Sequence, residues 1–149
     1  MAEINLTQSD ADTLISMPKV RVDDQEREFP LRQQSNVIPL VSQDKRESFV
    51  LDIHSGRINL SKTTFQNRGR QVVVLVRLDL GGPSHRNPDG EEVPCLHLHV
   101  YREGFGDKWA VPAPSDKFTA LNDHWQTLHD FMKFCAIVEF PIFRKGLFA

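Results

Sequence analysis

The chain has 149 residues, 40% of them hydrophobic and 26% charged, with thirteen aromatics of which ten are Phe. Enough apolar mass is present for a core in one domain spanning residues 1–149, which excludes a disordered polyelectrolyte. A net charge of -2 does not announce a protein built around a polyanion. No run approaches eighteen apolar residues, and Met-Ala-Glu-Ile-Asn-Leu has neither the basic nor the apolar region of a secretion signal, so a cytoplasmic protein with no membrane partner is predicted. Cys95 and Cys135 read as reduced thiols, with Cys135 in the core.

Thr7 is placed to cap a short helix ending near Met17, with Asp10 three residues on and Leu6 as a hydrophobic staple; Pro18 stops it. Residues 19–35 are acidic and weakly periodic, with room for one strand around residues 27–32. Residues 36–41, a polar turn at 42–46 and residues 47–54 predict a hairpin whose second arm points Phe49, Leu51 and Ile53 at the core. A third strand starts near Arg57 and runs through Phe65, followed by a basic turn at 66–70 in which Gly69 takes positive φ. Residues 71–80 form the strongest strand, with Val72, Val74, Val76, Leu78 and Leu80 on one face and Val73, Leu75, Arg77 and Asp79 on the other. A Gly/Pro-dense loop, residues 81–94, leads into a strand at 95–103 and, after a turn at Gly104 to Asp107, a short strand at 108–111.

Leu121, Trp125, Leu128, Met132 and Cys135 recur at helical spacing, with Asn122 or Thr119 as cap, and His124 and His129 fall on the solvated side. The apolar tail at Phe140 to Phe143 and Leu147 to Phe148 is expected to cover a sheet edge or close the core. The sum is an α+β fold: a curved, mainly antiparallel sheet of five to seven strands with an N-terminal short helix and a C-terminal helix packed on it.

Alternation then identifies a patch. If strands 71–80 and 95–103 pair antiparallel with their apolar even-numbered residues in the core, Arg77, Asp79, His97, His99, Tyr101 and Glu103 share the opposite face. The long loop brings His85, Arg86 and Asn87 towards it. Three chemistries suit these residue types. Two histidines can act as general acid and base in a metal-free phosphodiester cleavage, with Asp79 and Tyr101 assisting and Arg77, Arg86 or Lys108 holding the phosphate. His97 and His99, two residues apart on a strand, can instead bind a divalent metal with His85 and a carboxylate. The patch can also be structural, or a protein-docking shape. The charge distribution leans towards phosphate in the middle of the chain, since residues 57–86 carry six Lys/Arg against one acid.

Residues 51–60 (LDIHSGRINL), 77–90 (RLDLGGPSHRNPDG) and 97–110 (HLHVYREGFGDKWA) resemble a domain-of-unknown-function family of small bacterial, prophage-associated proteins. The likeness runs from the first helix to Phe148. It implies roles typical of mobile elements: a toxin-like ribonuclease, its partner, or an inhibitor of host defence. The leading expectation is therefore a small nucleic-acid-acting protein, a toxin-type RNase using His97, His99, His85, Asp79 and Tyr101, with RNA as partner and no cofactor. The alternatives are a non-enzymatic protein-binding module, antitoxin-like or anti-defence, and a metal-dependent hydrolase.

Overall fold

The computed structural model describes residues 5–31, 33–56 and 62–146. Helix α1 (Gln8–Ser16) is capped by the Thr7 side chain, which accepts from the Asp10 amide. Short strands β1 (Lys19–Arg21) and β2 (Glu26–Phe29) follow. A meander of β3 (Ser35–Ser42), β4 (Ser48–Ser55), β5 (Thr63–Gly69) and β6 (Val73–Asp79) comes next. The long loop contains a small hairpin, β7 (His85–Arg86) with β8 (Glu92–Val93). Then come β9 (His97–Val100), β10 (Ala110–Pro112), helix α2 (His124–Phe134), β11 (Ile137–Glu139) and β12 (Ile142–Lys145).

The fold is α+β, and its main sheet has eight strands rather than five to seven, in the order β10-β9-β6-β5-β4-β3-β1-β11. All neighbours are antiparallel except β11, which pairs parallel with β1. β1 escapes the alternation pattern because it is three residues long; its partners β3 and β11 define it. The strand expected near 27–32 is Glu26–Phe29 and pairs with β12, so the apolar tail does cover an edge, that of a separate two-stranded sheet. Leu147 and Phe148, the start of the third strand at Arg57, and Arg32 lie outside the described residues.

One sheet face carries the core. The cross-strand row Ile53, Phe65, Leu78 and Leu98 is buried beneath α1 and α2, with Phe65 and Phe131 rings 5.9 Å apart. Each such side chain contributes about 1.5–3 kcal/mol by leaving water. A β-bulge sets the parity of β6: Asn67 pairs with Val76 but Arg68 with Val74, so Leu75 is the extra residue. Leu75 and Val76 are consecutive yet both fully buried. The face therefore switches: Val73 and Leu75 point into the core before the bulge, Val76, Leu78 and Leu80 after it. The expected core placement of Val72 and Val74 fails for this reason, and Val72 is 58% exposed.

The predicted basic turn at 66–70 is also corrected. β5 continues through Gly69, and Arg70 and Gln71 take the left-handed conformation, with φ of 49° and 68°. Gly69 does not have positive φ; it answers instead to space, because a Cβ there would lie 3.0 Å from Leu75 Cδ1. α2 begins at His124 with Asp123 as cap, not Asn122 or Thr119. His129 is half-buried rather than solvated, donating Nδ1 to the Trp125 carbonyl and packing against Trp125 and Phe140. His124 is likewise half-buried, and burial lowers its pKa.

A buried cation ties the helices to the sheet. Lys19 is fully buried and donates to the carbonyls of Ile15 (3.0 Å), Met17 (3.0 Å) and Cys135 (2.7 Å), with its ammonium 4.6 Å from the Phe49 ring centre. It thus satisfies carbonyls at the C-terminal ends of both α1 and α2. Burial brings its pKa down to about 8, which keeps the ammonium form at neutral pH. Lys19→Met leaves these carbonyls without their donor. It is expected to lower the unfolding free energy by on the order of 2 kcal/mol, seen as a smaller urea midpoint at unchanged slope.

Candidate functional site

The sheet face opposite the core carries the chemistry. Past the bulge, β6 and β9 pair so that Asp79 lies opposite His97 and Arg77 opposite His99. With Leu78 and Leu98 committed to the core, these four side chains must stand on the other face. The same row continues into β5 and β4, where Thr64 donates to Asp79 Oδ1 (3.2 Å) and Gln66 and Arg68 both bind Asp52. The patch predicted from alternation exists for these four residues.

It lies under a cover. The loop after β6 folds back and places His85 with its ring centre 4.6 Å from that of His99 and 5.8 Å from that of His97. His85 Nε2 donates to the Lys108 carbonyl at 2.6 Å. Asn87 exchanges two hydrogen bonds with the Ala110 backbone, 2.9 Å and 2.8 Å, fastening the loop to β10. Beneath this cover the side chains of His97 and His99 are 4% and 0% exposed, whereas Asp79 and Arg77 retain 18% and 26%.

Protonation states follow from the partners. His99 Nδ1 donates to the Asp107 carbonyl (2.7 Å), which can only accept. Nε2 is therefore its lone-pair nitrogen in the neutral ring; it lies 3.0 Å from Arg77 Nη2, which donates to it, and 3.3 Å from Asp79 Oδ2. His97 Nε2 donates to Asp79 Oδ2 at 2.9 Å, with Nδ1 3.4 Å from the Pro94 carbonyl. Burial pushes the Asp79 carboxyl up, but its contact with His99 and the charges of Arg77 and of the two imidazoles outweigh it and bring it to about 2. Burial also holds the His97 imidazole below its usual range, against the attraction of Asp79. At neutral pH, then, an ionised carboxylate faces a neutral His97; metal on Nε2 would require the ring proton on Nδ1, where the Pro94 carbonyl lies 3.4 Å away to accept it. The ligand atoms of Asp79, His97 and His99 all lie within 4.8 Å of one another.

Several expected members belong elsewhere. Tyr101 is in the core, 5% exposed, with its hydroxyl accepting from the Leu6 amide (2.8 Å) and donating to the Leu6 carbonyl (3.0 Å). The bulge explains this: the Tyr101 amide donates to Leu75 O, so Tyr101 sits beside the residue that the bulge turns inward. Glu103 binds the Gln8 amide at the start of α1. Arg86, 70% exposed, is paired with Glu92. Lys108 reaches the cluster through its backbone carbonyl alone, its side chain being exposed. Conversely, Asp107 belongs to the site without a motif to announce it. Its carbonyl orients His99 while its Oδ2 binds Arg77 Nη1 at 2.7 Å. The only signal was its position in the Gly104 to Asp107 turn, which resembles ordinary turn chemistry.

Because the folded pKa of Asp79, about 2, lies below the ordinary 3.8, its ionised form stabilises the fold above about pH 4. That contribution is lost as pH falls through the folded value. The difference in Tm between the wild-type protein and Asp79→Asn is expected to be at its full value from about pH 5 upward and to shrink steadily towards pH 2.

A protein-family model described as a family of unknown function (DUF6978) matches residues 6–137. No curated protein and no solved structure matched the chain.

Proposed function

We propose that this chain, which belongs to the DUF6978 family, is a metal-dependent hydrolase whose centre is formed by Asp79, His97 and His99, with the His85 ring packed beside it, 4.6 Å from that of His99. The observation that carries this reading is the convergence of one carboxylate and two imidazoles, their ligand atoms within 4.8 Å, with the imidazoles buried and the carboxylate open to solvent on one side. Two histidines and a carboxylate suit zinc, manganese or iron. Outer contacts support it: His99 and His85 each donate one ring N–H to a backbone carbonyl, which fixes the tautomer and leaves the other nitrogen as a lone pair. A bound metal would supply Lewis-acid activation of water and of the scissile bond. The chain's own residues would orient the ligands, exclude bulk water and, through Asp79 and Arg77, present the solvent-open side.

A metal-free, paired-histidine ribonuclease is less well supported by this geometry. It asks for two imidazoles able to reach a scissile phosphate, whereas those of His97 and His99 are buried and their nitrogens are turned to carbonyls, Asp79 and Arg77. Cleavage of RNA that survives chelation and disappears in His97→Ala would restore it.

Elemental analysis of tag-free protein decides the matter. About one equivalent of zinc, manganese or iron is expected in the wild-type protein and less than about 0.2 in Asp79→Asn/His97→Gln. Tyr101→Phe, off the patch, should retain the metal while losing on the order of 1 kcal/mol of stability. A folded wild-type protein that neither carries metal nor takes up cobalt(II) or zinc would overturn the reading and leave the cluster as a structural ion-pair network that locks the loop, as a docking module would use it.

A further inference from the structure

Within the cluster lies a cation that the chain itself provides. The Arg77 guanidinium donates Nη2 to His99 Nε2 (3.0 Å) and Nη1 to Asp107 Oδ2 (2.7 Å), and its Nε lies 3.3 Å from Asp79 Oδ1. His99 Nε2 offers one lone pair, because Nδ1 is committed to the Asp107 carbonyl. That lone pair can serve Arg77 or a metal ion, not both.

Resting on the metal-centre reading above, we propose that Arg77 is the substrate-binding residue of this centre and that the substrate presents an oxyanion, phosphoryl or carboxylate, to it. Metal on His99 takes away the acceptor of Nη2. Asp107 still holds Nη1 and Asp79 Oδ1 stays beside Nε, so the guanidinium remains at the centre with its Nη2 donors released. Released guanidinium donors next to a metal ion match an oxyanion in both charge and geometry, and a planar fork binds such a group through two parallel hydrogen bonds. Position agrees: Arg77 and Asp79 form the side of the cluster that keeps solvent access, while the histidines behind them are closed off. Two consequences follow by linkage. Without metal, Arg77 competes for the His99 lone pair and weakens metal uptake; with metal, oxyanion and metal each strengthen the binding of the other.

Calorimetry with cobalt(II) as the metal and inorganic phosphate or acetate as the oxyanion tests this on wild-type, Arg77→Gln and Arg77→Lys proteins. Cobalt-loaded wild-type protein is expected to bind at least one of the two probes about tenfold or more tightly than metal-free protein, and the preferred probe identifies the substrate's oxyanion as phosphoryl or carboxylate. Arg77→Gln should bind cobalt at least as tightly as wild type yet lose the oxyanion enhancement. Arg77→Lys, which keeps the charge but not the fork, should retain cobalt with weakened oxyanion binding, and it decides the outcome if Arg77→Gln does not fold. Loaded Arg77 variants that bind phosphate and acetate as wild type does would overturn the role of Arg77 while leaving the metal centre standing. A wild-type protein that takes up no cobalt would overturn both.

Discussion

The antiparallel register between β6 and β9 is the constraint on which the polar face depends. It sets Asp79 against His97 and Arg77 against His99, and the intervening Leu78 and Leu98 anchor that register in the core. A slip of β9 by one residue would drive His97 and His99 into the apolar layer under the helices, turn Leu98 out of it and leave Asp79 without its histidine partner. The bulge at Leu75 lies at the near end of the same pairing. It ends the polar patch by turning Tyr101 inward, where its hydroxyl fixes Leu6 just ahead of α1.

Burial of so many ionisable groups is tolerated because each is answered. Asp79 is met by Thr64, Arg77 and the His97 imidazole; Arg77 by two carboxylates and a ring nitrogen; the ring N–H of His99 and that of His85 by backbone carbonyls. The carbonyls come from Asp107 and Lys108, so the segment ahead of β10 is held to the site by the same bonds that orient the rings. Loop and cluster therefore form one cooperative unit: loosening either exposes the other.

Much of this was legible in the chain because alternation is a short-range signal. The hairpin of β3 and β4, the pairing of His97 and His99 with Arg77 and Asp79, and the Thr7 cap all follow from residue types at fixed spacing. What was not legible depends on contacts distant in sequence. The bulge needs knowledge of Asn67 across the ladder, and without it Val72, Val74 and Tyr101 are assigned to the wrong face. β1 is a strand because of its neighbours. Lys19 reads as an ordinary charge after a proline, yet its partner carbonyl at Cys135 lies 116 residues away. Asp107 looked like a turn residue because a turn and an ion pair ask for the same side chain.

Asn87 joins these themes at the sheet's margin. Its side-chain amide meets the Ala110 N–H and carbonyl as a neighbouring strand would, on an edge strand of only three residues that ends in Pro112. The open edge of β10 is thereby occupied by a single residue from the loop that covers the histidines. Lifting that loop would strip the Ala110 N–H and carbonyl of their partners, so cover over the histidines and protection of the sheet edge rest on the same side chain.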